Sequence, residues 1–328
     1  MTANCKANEK ANEIYIERIY DADVKMVWEA WVDPKQVAQW WGPRGFTLTT
    51  ISKEVKLGGF WIYTMHGPDG TNYPNKTEFL EVEKYSRLVY DHGGNDDRPP
   101  MFRVTVNFID MSGKTKMQMT MSLPTAEAAV EAKKFIKQAG GDSTWDRLAE
   151  YLSQSKSQKD IFVINRSFEV PINLSFEMFT NTKHFAQWMG PAGSTMSFIK
   201  ADIKVGGTSF YGMEGAHGKM YGKIKYLEIA KPNQIVYTQI FCDENEKTSR
   251  HPMAPTWPET MLTTITLSEE GSSRTRLSIE WEVFGEATPI ERETFNKAKP
   301  GMTLGWTGSF DKLESYLAQL QINKHQLF

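Results

Sequence analysis

The 328 residues are 40% hydrophobic and 24% charged, an ordinary globular composition with enough apolar material for two cores. Formal net charge is -2 with no block of like charges, so the basic stripe that would grip nucleic acid or an anionic membrane is missing from the sequence. The two cysteines, Cys5 and Cys242, make neither a disulfide framework nor a zinc site, and the start is polar; no run nears the roughly 18 apolar residues of a membrane span. These features predict a cytoplasmic protein without a membrane span or a nucleic-acid partner.

In chain order, "IYIERIY" at 14–20 predicts a first strand. Val24, Val27, Trp28 and Trp31 then fall on one face of a helix. Asp33 is an N-cap and Pro34 sits where its missing N–H costs nothing, so a second short helix starts there. It ends in "AQWWGP" at 38–43, because proline cannot continue the helical ladder. From about 46 to 123 the period becomes two, with Met117, Met119 and Met121 alternating with Gln118 and Thr120, and with turns such as "GPDG" and "MSGK". Trp145, Leu148, Ala149 and Leu152 mark a closing helix, and the polar "SQSKSQKD" at 153–160 reads as a linker.

The chain then repeats itself. At a shift of 148, Arg18 meets Arg166, Trp40 meets Trp188, Gly42-Pro43 meets Gly190-Pro191, and Gly58-Gly59 meets Gly206-Gly207. The same shift carries Tyr63 onto Tyr211, Met65 onto Met213 and Tyr73 onto Tyr221, and "DRLAEYL" at 146–152 answers "DKLESYL" at 311–317. Within the second copy Ile172, Phe176 and Phe179 line the first helix and Asn181 caps the second. Leu277, Ile279, Trp281 and Val283 alternate on a late strand, and Phe310, Leu313, Leu317 and Leu320 line the closing helix. Two α+β domains follow, 1–154 and 161–328 joined by a linker at 155–160. Each reads as a strand, two small helices, about six antiparallel strands and a closing helix.

Trp40 and Trp188 are expected to be core plugs, whereas Trp41, replaced by Met189, is the neighbour expected to vary with function. Trp61, Tyr63, Met65, Met119 and Met121 in the first copy, with Tyr211, Met213 and Trp281 in the second, are candidate walls of a ligand cavity, apolar with a few polar handles. His66 and Glu214 are the acid–base candidates, and His66 and His217 fall in equivalent hairpin loops. The histidines lack metal-ligand spacing, and no nucleophile elbow or phosphate loop appears, so neither metal nor cofactor is expected. Gly58-Gly59 and Gly206-Gly207 read as strand bends rather than phosphate cradles. One asymmetry stands out: Val89 aligns with Val236 at a shift of 147, but Thr105 aligns with Thr264 at 159. The extra residues fall in "CDENEKTSRHPMAPTWPE", a long loop expected to shape the mouth of the second cavity or a contact between domains.

The stretches "VWEAWVDPKQVAQWWGP", "TWPETMLTTITLSEEGSSRTRLSIEW" and "GWTGSFDKLESYL" resemble the SRPBCC, or START-like, superfamily, and within it the homologues of the activator of heat-shock-protein-90 ATPase. The resemblance implies tandem helix-grip (Bet v 1-like) folds, each a curved antiparallel sheet around a long C-terminal helix. It also implies a choice among activities, because relatives include hydrophobic-ligand carriers, cyclases and a co-chaperone. Non-catalytic binding of a small hydrophobic molecule is the first expectation. A cyclase- or hydrolase-like enzyme using a cavity Tyr, His or Glu is the second, and a co-chaperone-like protein with a chaperone or other protein partner is the third.

Overall fold

The computed structural model describes residues 10–93, 99–138, 140, 143–157, 160–216, 218–270 and 273–325; Cys5 and His217 lie outside them. Two compact units divide the chain, Met1–Lys156 and Ser157–Phe328. The first runs β1 (Glu13–Tyr20), α1 (Val24–Val32), α2 (Pro34–Trp40), β2 (Thr47–Lys53), β3 (Phe60–His66), β4 (Asn72–Glu83), β5 (Arg87–His92), β6 (Phe102–Asp110), β7 (Thr115–Ser122), α3 (Ala126–Gln138) and α4 (Ser143–Lys156). The second runs β8 (Ile161–Phe168), α5 (Ile172–Thr180), α6 (Thr182–Trp188), β9 (Thr195–Lys200), β10 (Thr208–Gly215), β11 (Gly218–Ala230), β12 (Gln234–Cys242), β13 (Thr260–Glu269), β14 (Thr275–Val283) and α7 (Pro289–His325). Each unit holds one seven-stranded antiparallel sheet, ordered β1-β7-β6-β5-β4-β3-β2 and β8-β14-β13-β12-β11-β10-β9. Both are α+β helix-grip domains, in agreement with the sequence pattern.

Strand register locates the repeat residue by residue. Val89 lies opposite Thr105 and Val236 opposite Thr264, so the sequence-aligned pairs are true equivalents. The hairpins between β3 and β4 and between β10 and β11 differ by one residue. Met65 faces Tyr73, whereas Met213 faces Met220, so Met220 and not Tyr221 is the counterpart of Tyr73. A second correction concerns the closing helix. The first unit has two helices, α3 and α4, where the second has the single 37-residue α7. Gly140 between α3 and α4 has φ +68°, a left-handed value that stops a right-handed helix, whereas α7 runs on through Pro300.

The two cores are built by the same contacts. Met117, Met119 and Met121 of β7 and Leu277 and Ile279 of β14 are buried on alternate positions, as a sheet with one covered face requires. Asp33 caps α2 by accepting from the N–H groups of Lys35 and Gln36 at 2.8 and 2.9 Å, and Asn181 caps α6 by accepting from Lys183 at 3.0 Å. Trp40 and Trp188 are fully buried, and each indole N–H donates to a carbonyl of the preceding helix, Ala30 at 3.0 Å and Met178 at 3.1 Å. Buried Thr115 and Thr275 each donate to the turn leading into that helix, at the carbonyls of Ala22 (2.8 Å) and Val170 (2.7 Å).

The turn after the tryptophan has its own clasp. Gly42 and Gly190 follow with φ +94° and +107°, which leaves several carbonyls pointing away from any helix ladder. In the first unit the Arg147 guanidinium on α4 donates to the carbonyls of Gly42 (2.8 Å), Pro43 (2.9 Å) and Phe46 (3.2 Å). In the second the Lys312 amine on α7 donates to Gly190 (3.2 Å) and Ser194 (2.9 Å). Burial and the neighbouring Arg44 pull the Arg147 pKa down to about 10, so it remains charged at neutral pH. Arg147→Met strands these carbonyls and is expected to cost about 2 kcal/mol in a denaturant melt. Arg147→Lys should recover about half, since a lysine already serves the equivalent turn, though without the planar fork.

Candidate functional site

The first unit gathers its tryptophans where α1 and α2 meet the β2–β3 edge of the sheet. Trp31, Trp41 and Trp61 follow one another with ring centroids 5.5 and 5.1 Å apart, and Tyr63 stacks on Trp61 at 4.0 Å. Trp31, Trp41, Lys53, Trp61, Thr77 and Tyr90 are among the walls of a recess of about 260 Å³ including its open side, in which a water molecule's centre has only about 10 Å³ to move. That is room for roughly one water.

Lys53, at the end of β2, is the polar group of this recess. Its amine donates to the Trp31 carbonyl at 2.8 Å and lies 3.5 Å from the centroid of the Trp61 ring. Burial brings its pKa down to about 7, against the opposing pull of Asp33. Burial also pushes up the phenols of Tyr63 and Tyr90, so both stay neutral, and holds the His92 imidazole neutral with a pKa near 4.

The second unit replaces this chemistry position by position. Phe179, Met189, Ala201 and Ser209 stand where Trp31, Trp41, Lys53 and Trp61 do. Ser209 is buried with its hydroxyl 3.4 Å from that of Tyr226. Tyr211 lies flat across Gly222, so close that a Cβ there would come within 2.3 Å of its hydroxyl oxygen. Burial raises the Tyr211 pKa to about 12.

The extra loop of the second unit, between Cys242 and Thr260, folds back against the sheet. Its Trp257 is buried against Phe295 of α7, and Arg250 ties the Trp257 carbonyl (2.8 Å) to Glu291 (2.7 Å). Asp243 closes the first turn by accepting from Asn245 and Lys247, both at 2.9 Å, while Glu246 reaches back to Lys223 and Lys200. Between this loop and the ends of β11 and β12 lies a cleft of about 310 Å³. Met220, Tyr221, Phe241 and Cys242 form its apolar part, and Lys219, Asp243, Glu244 and Arg250 its charged rim. Burial raises the Cys242 thiol's pKa, only partly offset by Lys223, so it is a packing group rather than a thiolate.

Of the residues expected to line a cavity, Trp61 stands on the wall of the first recess and Tyr63 is buried behind it. Met119 and Met121 are buried on β7, and Met65 is half-buried against Gly42. Tyr211, Met213 and Trp281 are half-buried in the second unit and do not line the 310 Å³ cleft, although Met213 pairs across the strands with Met220 of its floor; Trp281 packs between Phe162 and Trp306. His66 and Glu214 occupy equivalent positions on β3 and β10. His66 is engaged by Asn72 (2.6 Å) and Thr49 (2.9 Å), Glu214 is exposed, and neither lines the recess or the cleft. Sequence reasoning missed Lys53. Its signal in the sequence is a break in the repeat, lysine against Ala201, beside the Trp41–Met189 difference.

The family model described as "Activator of Hsp90 ATPase homolog 1-like protein" matches residues 21–153 and again 169–318. The chain belongs to this family. Among solved structures, a protein of Nitrosomonas europaea is 20% identical with a TM-score of 0.42, covering 45% of this chain and 98% of its own. One from Arthrobacter aurescens is 26% identical (TM-score 0.41, 45% and 90% covered), and the AHSA1 protein of Silicibacter pomeroyi is 18% identical (0.38, 48% and 98%). No curated protein matches. The family is thus present twice, and each copy has its own chemistry at the equivalent site. Among the described residues no helix is long and apolar enough to cross a membrane, and no group of three His, Cys, Asp or Glu side chains is placed to hold a metal ion.

Proposed function

We propose that the protein binds a small, largely apolar molecule without covalent chemistry in the cleft of the second unit. The observation that carries this is the cleft itself: about 310 Å³, an apolar floor centred on Phe241 and Met220, and a charged rim of Lys219, Arg250, Asp243 and Glu244 to orient a polar end. Its volume lies at the lower end of those that hold small ligands. The first recess, with room for about one water, does not support the same reading. The site therefore lies at the loop-built rim of one domain rather than in a chamber of both. The fluorescent probe 1-anilinonaphthalene-8-sulfonate tests this, being apolar with one anionic group. Ser249→Trp places a ring on the cleft wall without entering the core and should weaken probe binding at least about tenfold. Unchanged affinity would reject the cleft as the site. Native mass spectrometry of the purified protein then seeks the natural occupant.

A second reading rests on the family's description and on one repeated surface feature. Ile51 and Leu57 are 70% and 77% exposed, and their counterparts Ile199 and Val205 are 50% and 61% exposed. The same two positions are thus apolar and uncovered in each unit, which suits contact with a protein such as a chaperone. Stimulation of a heat-shock-protein-90 ATPase that is lost in the Leu57→Asp, Val205→Asp double variant would favour this reading over the first.

A further inference from the structure

We propose that the molecule held in the cleft of the second unit is a zwitterion, an apolar body bearing one ammonium and one carboxylate as in an apolar α-amino acid. This rests on that cleft being the binding site. Its rim carries two cations, Lys219 and Arg250, and two anions, Asp243 and Glu244. Two of the four are already engaged. Arg250 is held by the Trp257 carbonyl and by Glu291, and one carboxylate oxygen of Asp243 accepts from the N–H groups of Asn245 and Lys247. Glu246 on the same loop is taken up by Lys200 and Lys223. Lys219 and Glu244 remain. Both line the cleft, yet among the described residues neither makes an ion pair, with the other or with a third group. Glu214 faces Lys219 across the strands but is exposed and not bonded to it.

The Lys219 amine has a defined seat. Its stem passes over Gly212, where a Cβ would lie 3.2 Å from its Cε, and the amine stands 5.1 Å from the centroid of the Tyr221 ring on the cleft wall. A glycine inside a strand permits so close an approach. Thr64 occupies the position of Gly212 in the first unit, and the loop that carries Glu244 is the extra one, so this pair of charges belongs to the second unit alone. An unmatched ammonium and an unmatched carboxylate at one cleft set a condition on the ligand. A molecule with a single charge gains at one of them and is repelled at the other, and a neutral molecule matches neither. A zwitterion offers its carboxylate to Lys219 and its ammonium to Glu244, with its body on Phe241 and Met220. Pairs as exposed as these discriminate several-fold rather than by orders of magnitude.

The experiment titrates the full chain calorimetrically at neutral pH with three probes that share one ring: phenylalanine with both charges, 3-phenylpropionate with the anion alone, and 2-phenylethylamine with the cation alone. Phenylalanine should bind at least about fivefold more tightly than either of the others. Lys219→Met should weaken phenylalanine and 3-phenylpropionate while sparing 2-phenylethylamine, and Glu244→Gln should do the reverse for the two single-charge probes. A single-charge probe that binds as tightly as phenylalanine, or phenylalanine binding untouched by both substitutions, overturns the proposal. Should none of the three bind while 1-anilinonaphthalene-8-sulfonate still binds and is weakened by Ser249→Trp, the zwitterion falls and the cleft stands. Should that probe too be indifferent to Ser249→Trp, both fall together.

Discussion

Gly59→Ala and Gly207→Ala are each expected to destabilise their unit by about 3 kcal/mol or more. A Cβ on Gly59 would lie 2.2 Å from the Glu54 carbonyl oxygen, and one on Gly207 would lie 2.2 Å from that of Asp202. The obstacle is backbone, so no side chain can swing aside. The chain doubles back here: the Glu54 N–H bonds the Phe60 carbonyl at 2.8 Å, and the Gly59 N–H bonds the Lys56 carbonyl at 2.8 Å. Relieving the clash means breaking that turn at the entrance to β3 or β10. The preceding glycines provide an internal control. Gly58 and Gly206 have φ +70° and +79° with nothing within 4 Å of where a Cβ would lie, so alanine there meets only the left-handed backbone penalty of about 1 kcal/mol. Chemical denaturation of the four variants separates the two causes. Equal losses at both positions of a pair would show that conformation, not collision, governs the dipeptide.

Trp188→Ala and Trp40→Ala are expected to cost about 4 kcal/mol each, within the usual range for removing a buried aromatic side chain. Both side chains are fully buried among rings: Trp188 against Phe179 and Phe185 at 5.0 and 5.5 Å, Trp40 against Trp31 and Trp41 at 5.3 Å each. The phenylalanine variants distinguish volume from hydrogen bonding. Trp188→Phe keeps most of the apolar surface but leaves the Met178 carbonyl without its indole donor, so about 1–2 kcal/mol should be lost from that change. Unfolding free energies from urea melts test the series. A phenylalanine variant as unstable as the alanine one would shift the emphasis from packing to the indole bond.

The duplication, the α+β class and the order of elements were legible because they rest on periodicity and on residues that recur, such as Trp40 and Trp188. The caps at Asp33 and Asn181 were legible because helix starts are written locally. What escaped the sequence depends on chain segments meeting across long separations. The need for a second glycine at 59 comes from the Glu54 carbonyl folding back over it, and Arg147 is a clasp because α4 lies over the turn after α2. The one-residue offset that pairs Met213 with Met220 is a register detail that a constant shift conceals. The extra loop shows as a change of shift between the copies, but its attachment through Trp257 and Arg250 depends on contacts with α7. Lys53 is not legible because an isolated lysine reads as solvent-facing, and only the fold brings Trp31 and Trp61 beside it.

The order of strands bears on how each unit is made. Strand β1 has β7 as its neighbour, and the Thr115–Ala22 bond closes a separation of 93 residues; in the second unit the Thr275–Val170 bond closes 105. During synthesis the opening strand of a unit therefore waits, unmatched, until about three quarters of that unit has been made. Such non-local pairing slows folding and prolongs exposure of apolar segments. A nascent chain halted before Thr115 should remain protease-sensitive at its first strand, and one extended past Lys156 should not.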